Sequence, residues 1–236
     1  LGIFIMSVVA TGSRGAFLGL LAIGVYCWLY SPRKVMSLLL GTCLVVVVLV
    51  AAPSEYWDRI STITDDNTME TGTAGQRMFT WGIGWEMFLA NPVFGVGQAN
   101  FPWTIGEYLG GRTWQTKSLA GRQAHSLYFT LLPELGLVGV WIFASMMYFN
   151  YRDTRVRSFA IQKSFGAAER VPSSHSETDL PFGDATLYGN AILGGMIGYL
   201  VTSTFISTLY YPTFWIMMAL DVTWQRFTSW WKINKQ

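Results

Sequence analysis

Charged residues, histidines and cysteines are all scarce in this 236-residue chain. Charged side chains make up 13% of the sequence and the formal net charge is +2, so bulk electrostatics favours neither a nucleic acid nor an anionic surface as a partner. Cys27 and Cys43 both lie inside apolar runs, where they act as small hydrophobic residues and not as a disulfide framework. The sequence also has no His or Cys cluster with the spacing of a metal site.

Long apolar runs dominate the chain instead, and 51% of its residues are hydrophobic. A bilayer core about 30 Å thick needs roughly 20 apolar residues per helix. The runs that approach this length are residues 16–30, 35–52, 126–149 and 187–209, with a shorter one at 214–224. The sequence therefore predicts an all-α polytopic membrane protein with about six transmembrane helices and a large external loop.

The same pattern divides the chain into segments. We predict transmembrane helices in 1–52, an external loop in 53–125, a transmembrane helix in 126–149, a cytoplasmic loop in 150–186, two transmembrane helices in 187–225 and a cytoplasmic tail in 226–236. Ten of the sixteen Lys and Arg residues fall on the side assigned to the cytoplasm. Residues 1–10 lack the features of a signal peptide, and we expect them to be the second half of a helix in a truncated chain.

The external loop is too rich in aromatic residues to be a simple linker. Within it, residues 76–90 carry apolar side chains at helical spacing, which predicts a helix lying in the membrane interface. These side chains are Met78, Trp81, Trp85 and Phe88. Two interpretations of the loop aromatics stay open, namely an interfacial belt and stacking against sugars.

Three arginines are predicted to lie near one membrane surface. Arg14 stands in the turn TGSRG between two apolar helices, Arg77 begins the interfacial helix, and Arg122 lies three residues before His125. Each arginine alone could be an ordinary snorkelling or lipid-headgroup residue. Together they suit a phosphorylated substrate anchored in lipid, because guanidinium groups match phosphate oxygens in geometry and charge.

The stretch 124–136, AHSLYFTLLPELG, places His125 at the mouth of an apolar segment. An imidazole can act as a general base that takes a proton from an acceptor hydroxyl, and nearby arginines would disfavour its charged form. A diphosphate leaving group, once neutralised, needs no general acid. The alternative is a histidine that caps a helix at the interface.

The acidic residues are less suggestive of catalysis. Glu134 lies nine residues after His125, which places it on the opposite helix face and roughly 13 Å deeper, so we expect a buried, hydrogen-bonded structural acid. Asp65 and Asp66 are weak candidates for Mg²⁺, and no external carboxylate pair has convincing glycosidase spacing. His175 is expected to be solvated in the cytoplasmic loop, and Gly95 to Gly97 to form a turn.

Three motifs in order resemble the C-terminal half of the O-antigen ligase and O-antigen polymerase superfamily. They are TGSRG, AGQRMFTWGIGWEMFLANPVFGVG and AHSLYFTLLPELGLVG, within residues 11–140. The sequence HSLYF is most similar to the corresponding stretch of the O-glycosylation ligases associated with exosortase systems. The family normally has roughly twice as many helices.

The resemblance implies a metal-independent, inverting transferase of the bacterial inner membrane. Such an enzyme moves a glycan from an undecaprenyl diphosphate carrier to a hydroxyl of a glycan, lipid or protein acceptor at the periplasmic face, without a further cofactor. By motif position, Arg14 and Arg77 would bind the diphosphate and His125 would activate the acceptor. Arg122 has no clear family counterpart and is assigned to substrate binding from its position alone.

A second class stays open at this point. The chain could be a non-catalytic membrane subunit, or a protein that binds or translocates a lipid-linked glycan, within a larger membrane assembly. A translocator would need polar groups along several helices, whereas only Glu134 and Asp221 are predicted at membrane depth.

Overall fold

The computed structural model describes residues 13–31, 33–51, 73–168 and 185–233. These residues form α1 Arg14–Tyr30, α2 Lys34–Ala51, α3 Thr73–Ala90, α4 Phe101–Tyr108, α5 Tyr128–Ala168, α6 Ala185–Thr202, a 3-10 helix Ser203–Phe205 and α7 Pro212–Ile233. No strand occurs in these ranges, which confirms the all-α part of the prediction. The apolar residues 1–10 lie outside the described residues.

The structure supports part of the prediction of membrane-spanning helices. Among the described residues, Tyr128–Val156 is the one helical segment long and apolar enough to cross a membrane, and Gly15–Tyr30 and Lys34–Cys43 are shorter apolar helices. The apolar side chains described in α2 point outward, as Val35 at 73% exposure illustrates, which suits a helix in contact with lipid. The number six for the spans stays a prediction.

Helix α1 packs on α6 through glycines. A Cβ atom at Gly19 would collide with Thr202, and one at Gly198 would lie 2.6 Å from Ile23 Cγ1, so both glycines permit close backbone approach. The predicted turn at 11–15 ends earlier than expected, because the Ser13 hydroxyl accepts a hydrogen bond from Ala16 N at 3.3 Å and caps a helix that begins at Arg14.

Helix α5 is interrupted at Gly136, inside the transmembrane helix predicted over 126–149. Gly136 has φ 61° and ψ −162°, a conformation suited to glycine. The break is filled by the loop after α3: Val96 N donates to Pro133 O at 2.8 Å, and Leu137 N donates to Pro92 O at 2.8 Å. The turn predicted around Gly95 is present. It packs closely on α5 because glycine has no side chain, whereas a Cβ atom at Gly95 would collide with the backbone of α5.

Three helix ends differ from the predicted boundaries. Helix α5 continues past residue 149 to Ala168, α6 ends at Thr202 and not at 209, and α7 continues past 224 to Ile233. Hydropathy marks where a helix leaves the apolar phase, but it does not mark where helical hydrogen bonding stops. Parts of the predicted cytoplasmic loop and tail are therefore helical, whereas residues 169–184, with His175, lie outside the described residues.

The described part of the predicted external loop has its own core. Helices α3 and α4 and the following segment bury a cluster of apolar residues, namely Ile83, Met87, Phe101, Ile105, Leu109, Leu119 and Ala124. The helix predicted over 76–90 is present within α3, and Met78 and Trp85 of its apolar stripe are exposed, at 67% and 47%. The buried face of α3 includes Ile83, Met87 and Phe88. The buried face forms because α4 and α5 cover it, a contact that helical spacing alone does not reveal.

Candidate active site

Helix α3 is joined to the segment that carries His125. The Trp81 indole N–H donates to Ala124 O at 2.8 Å, and its ring stacks on Phe129 with centroids 4.9 Å apart and an interplanar angle of 3°. Arg77 lies four residues before Trp81 and therefore on the same helix face. The tryptophan thus directs the N-terminal part of α3, with Arg77, toward His125.

The start of α5 fixes the backbone on the other side of His125. Leu127 N donates to Ser203 O at 2.8 Å, and the Thr130 hydroxyl donates to Ser126 O at 2.7 Å. His125 itself has φ 50°, in the left-handed region. Such a conformation in a non-glycine residue costs on the order of 1 kcal/mol or more, and it is typical of residues that the surrounding structure holds in place for function.

The electrostatic environment keeps the imidazole neutral. The pKa of His125 is lowered, first by partial desolvation of the ring and then by the positive charges of Arg77 and Arg122. Arg77 and Arg122 therefore each lie within electrostatic range of the His125 imidazole. His125 is exposed to solvent, so it is accessible to a substrate.

The arginines at the site differ in burial. The Arg77 Nε atom is buried and has no hydrogen-bond partner among the described residues, whereas Arg122 is exposed. Arg14 begins α1 next to the 3-10 helix, as the neighbouring Gly15 shows: a Cβ atom there would lie 3.1 Å from Phe205 Cβ. Since Ser203 in the same short helix binds the backbone just after His125, the start of α1 lies at the His125 end of the molecule.

Glu134 is almost completely buried, at 1% exposure. Its Oε2 accepts a hydrogen bond from Ala99 N at 2.9 Å and another from the Tyr210 hydroxyl, and its Oε1 accepts one from Phe101 N at 2.9 Å. The pKa of Tyr210 is raised by burial and by this contact with Glu134. The prediction of a buried, hydrogen-bonded acid is confirmed, and the carboxylate also ties the start of α4 to the segment before α7.

A cavity of about 280 Å³ opens beside Glu134 and next to the His125 segment. Its lining comes from three parts of the chain: Ala99, Phe101 and Pro102; Gln123, Ala124, Thr130 and Glu134; and Ser207, Leu209, Tyr210 and Tyr211. The third group was not predicted, because its residues lie at the end of the apolar run 187–209 and in the short stretch before the run 214–224. Their aromatic hydroxyls directly after an apolar run were the one available signal.

Other candidates receive no support here. No group of three or more His, Cys, Asp or Glu side chains that could hold a metal occurs in the part of the chain that the structure describes. Asp65 and Asp66 lie outside the described residues.

These features define a helical membrane protein with a histidine, arginines near it and a cavity next to the histidine segment. A family model described as O-Antigen ligase matches residues 1–144, more than half of the chain, and the chain belongs to this family. The match covers Arg14, Arg77, Arg122, His125 and Glu134, but not the segment with Tyr210. No curated protein and no solved structure matches the chain.

Proposed function

We propose that this protein transfers a glycan from an undecaprenyl diphosphate carrier to an acceptor hydroxyl at the periplasmic face of the bacterial inner membrane. Membership of the O-antigen ligase family indicates a glycosyltransferase-like membrane enzyme that uses a lipid-linked donor and an acceptor. The observation that carries the proposal is the position of His125 in the field of Arg77 and Arg122, next to a cavity lined in part by polar side chains. The narrower resemblance to exosortase-associated ligases stays a prediction.

The arginines are proposed to hold the donor. Arg77 offers a buried Nε–H that lacks a partner among the described residues, and a phosphate oxygen would satisfy it. Arg14 and Arg122 would contact the same diphosphate, since the start of α1 and the His125 segment lie at one end of the molecule. Neutralising the diphosphate makes it a good leaving group, so the proposed step uses neither a metal nor a further cofactor.

His125 is proposed to be the general base. Its lowered pKa keeps the ring neutral and able to accept a proton near pH 7. The acceptor hydroxyl gives its proton to the imidazole while its oxygen forms a bond to the anomeric carbon of the donor sugar. The bond from that carbon to the diphosphate oxygen breaks, undecaprenyl diphosphate leaves, and attack from the opposite face inverts the anomeric configuration.

The test is the variant His125→Ala in the full chain, assayed with a polyprenyl diphosphate glycan donor. We expect transfer to fall by about 10²-fold or more, as for the loss of a general base, while donor binding stays unchanged. His175→Ala is the matched control, because the other histidine lies far along the chain in the predicted cytoplasmic loop. Full transfer by His125→Ala would reject the mechanism and favour a protein that binds the lipid-linked glycan without reacting it.

A further inference from the structure

The cavity beside Glu134 differs in charge from the region that holds the arginines. The described residues that line it include no Lys or Arg, and their one carboxylate is that of the buried Glu134. A diphosphate placed there would meet the like charge of this carboxylate with no described cation in the lining, which is costly at a buried position. The cavity is therefore unsuited to the leaving group and suited to an uncharged ligand.

The Glu134 carboxylate has capacity for one more donor. A carboxylate offers about four acceptor positions, and Glu134 uses three of them for Ala99 N, Phe101 N and the Tyr210 hydroxyl. Among the described residues, Oε2 takes two of these bonds and Oε1 takes one, so an acceptor position remains on Oε1 of a residue that lines the cavity. A hydroxyl group of a neutral ligand can donate to this position.

The rest of the lining has the composition of a sugar site. The Gln123 amide and the Ser207 hydroxyl can donate and accept hydrogen bonds, while Tyr211, at 55% exposure, supplies aromatic surface for the C–H face of a ring. The volume of about 280 Å³ is close to the lower end of the range of about 300–1,000 Å³ that is usual for small-ligand pockets. This size fits a ligand of about one sugar ring.

We propose that this cavity is a subsite for a single uncharged sugar ring, that it presents an acceptor hydroxyl toward His125, and that Glu134 excludes rings carrying a carboxylate or phosphate. The role of the bound sugar as acceptor rests on the proposed glycosyl transfer. Sugar binding and its charge selectivity do not depend on that transfer. The cavity lies next to His125, because Ala124 lines the cavity and directly precedes His125.

The experiment measures binding of methyl β-glycosides to the full chain in detergent by saturation-transfer NMR. The neutral probes are the glycosides of glucose, galactose, mannose and N-acetylglucosamine, and the charged probes are the glucuronide and the galacturonide. We expect at least one neutral glycoside to bind, and its uronate counterpart to bind about tenfold more weakly or worse, because of the like charge of Glu134. Equal binding of the neutral and charged forms, or no binding of any neutral glycoside, would overturn the proposal.

Three variants locate the binding. Gln123→Trp puts a bulky ring at an exposed lining position and should abolish the signal, whereas Thr113→Trp, at an exposed position outside the lining, should preserve it. Glu134→Gln should reduce the discrimination against uronates. If that variant does not fold, the two tryptophan variants still decide the location, and undiminished binding in Gln123→Trp overturns it.

His125→Ala separates this proposal from the proposed function. Sugar binding retained without transfer supports both. Sugar binding with full transfer overturns only the role of His125 as base, and transfer in the wild type without any sugar binding overturns only the subsite.

Discussion

Glu134 and Asp221 are the two acids predicted at membrane depth, and the structure buries both, at 1% and 0% exposure. Their hydrogen-bond donors come from different places. Glu134 binds backbone N–H groups at the start of α4 and a tyrosine before α7. Asp221 accepts hydrogen bonds from side chains, with Asn150 Nδ2 and Gln225 Nε2 both at 2.6 Å and the Thr154 hydroxyl as a further donor.

This difference in hydrogen-bond donors distinguishes the candidate site at Glu134 from a structural contact at Asp221. Asp221 connects α7 to α5 through side chains, and it does not line the cavity near His125. Glu134 lines that cavity and keeps an acceptor position open. Burial of a carboxylate is thus a weak indicator of function, whereas the remaining hydrogen-bonding capacity and an adjacent cavity are stronger ones.

The largest expected effect comes from replacing each acid by alanine. Glu134→Ala should lower transfer per folded molecule by about 10²-fold, because loss of the anchor for α4 displaces groups near His125 by on the order of an ångström. Asp221→Ala should leave transfer per folded molecule nearly unchanged but lower the free energy of unfolding by about 2 kcal/mol, since three donors lose their partner. Transfer kinetics and thermal unfolding in detergent measure both, and equal losses of transfer would erase the distinction.

An effect of intermediate size is expected on the pH dependence of transfer when Arg77 is replaced. Because Arg77 lowers the pKa of His125, Arg77→Gln should raise that pKa, and the acidic limb of the kcat/KM profile should move to higher pH. Activity at pH 6 would then fall more than activity at pH 8. Arg112→Gln is the matched control, since Arg112 does not contribute to the shift at His125. An unchanged profile in Arg77→Gln would place the guanidinium too far from the imidazole to matter.

The smallest effect is expected at a third, exposed carboxylate. Glu86 forms a bidentate ion pair with Arg112, with oxygen to nitrogen distances of 2.8 and 2.5 Å, and the pKa of Glu86 is lowered by this pair. Both side chains are nearly half exposed. Glu86→Gln should therefore change the free energy of unfolding by less than about 1 kcal/mol, as measured by thermal unfolding, with no effect on transfer. A loss as large as that of Asp221→Ala would show that burial is not what separates these acids.

Much of the site was predictable because its parts follow local rules. The apolar run and the arginine at its start indicated α1, and helical spacing indicated α3. Arg77 and His125 fall in one predicted loop, 53–125, and the structure places Arg77 within electrostatic range of His125. The close packing of α1 on α6 had an unused signal in Gly194 and Gly198, which are four residues apart on one helix face. The interruption of α5 at Gly136 was missed, since glycine inside an apolar run is also compatible with a continuous transmembrane helix.

Hydropathy and charge along the chain determined, without any structure, that this protein is helical, associated with a membrane and equipped with arginines and a histidine at one end. These properties depend on residues close in sequence and on the bilayer as solvent, so they are readable locally. Only the tertiary structure decided that Glu134 has a remaining acceptor position and that Gln123 and Tyr210 share a cavity with it. That cavity joins residues 76 positions apart, from Glu134 to Tyr210, and no local pattern specifies which distant side chains meet.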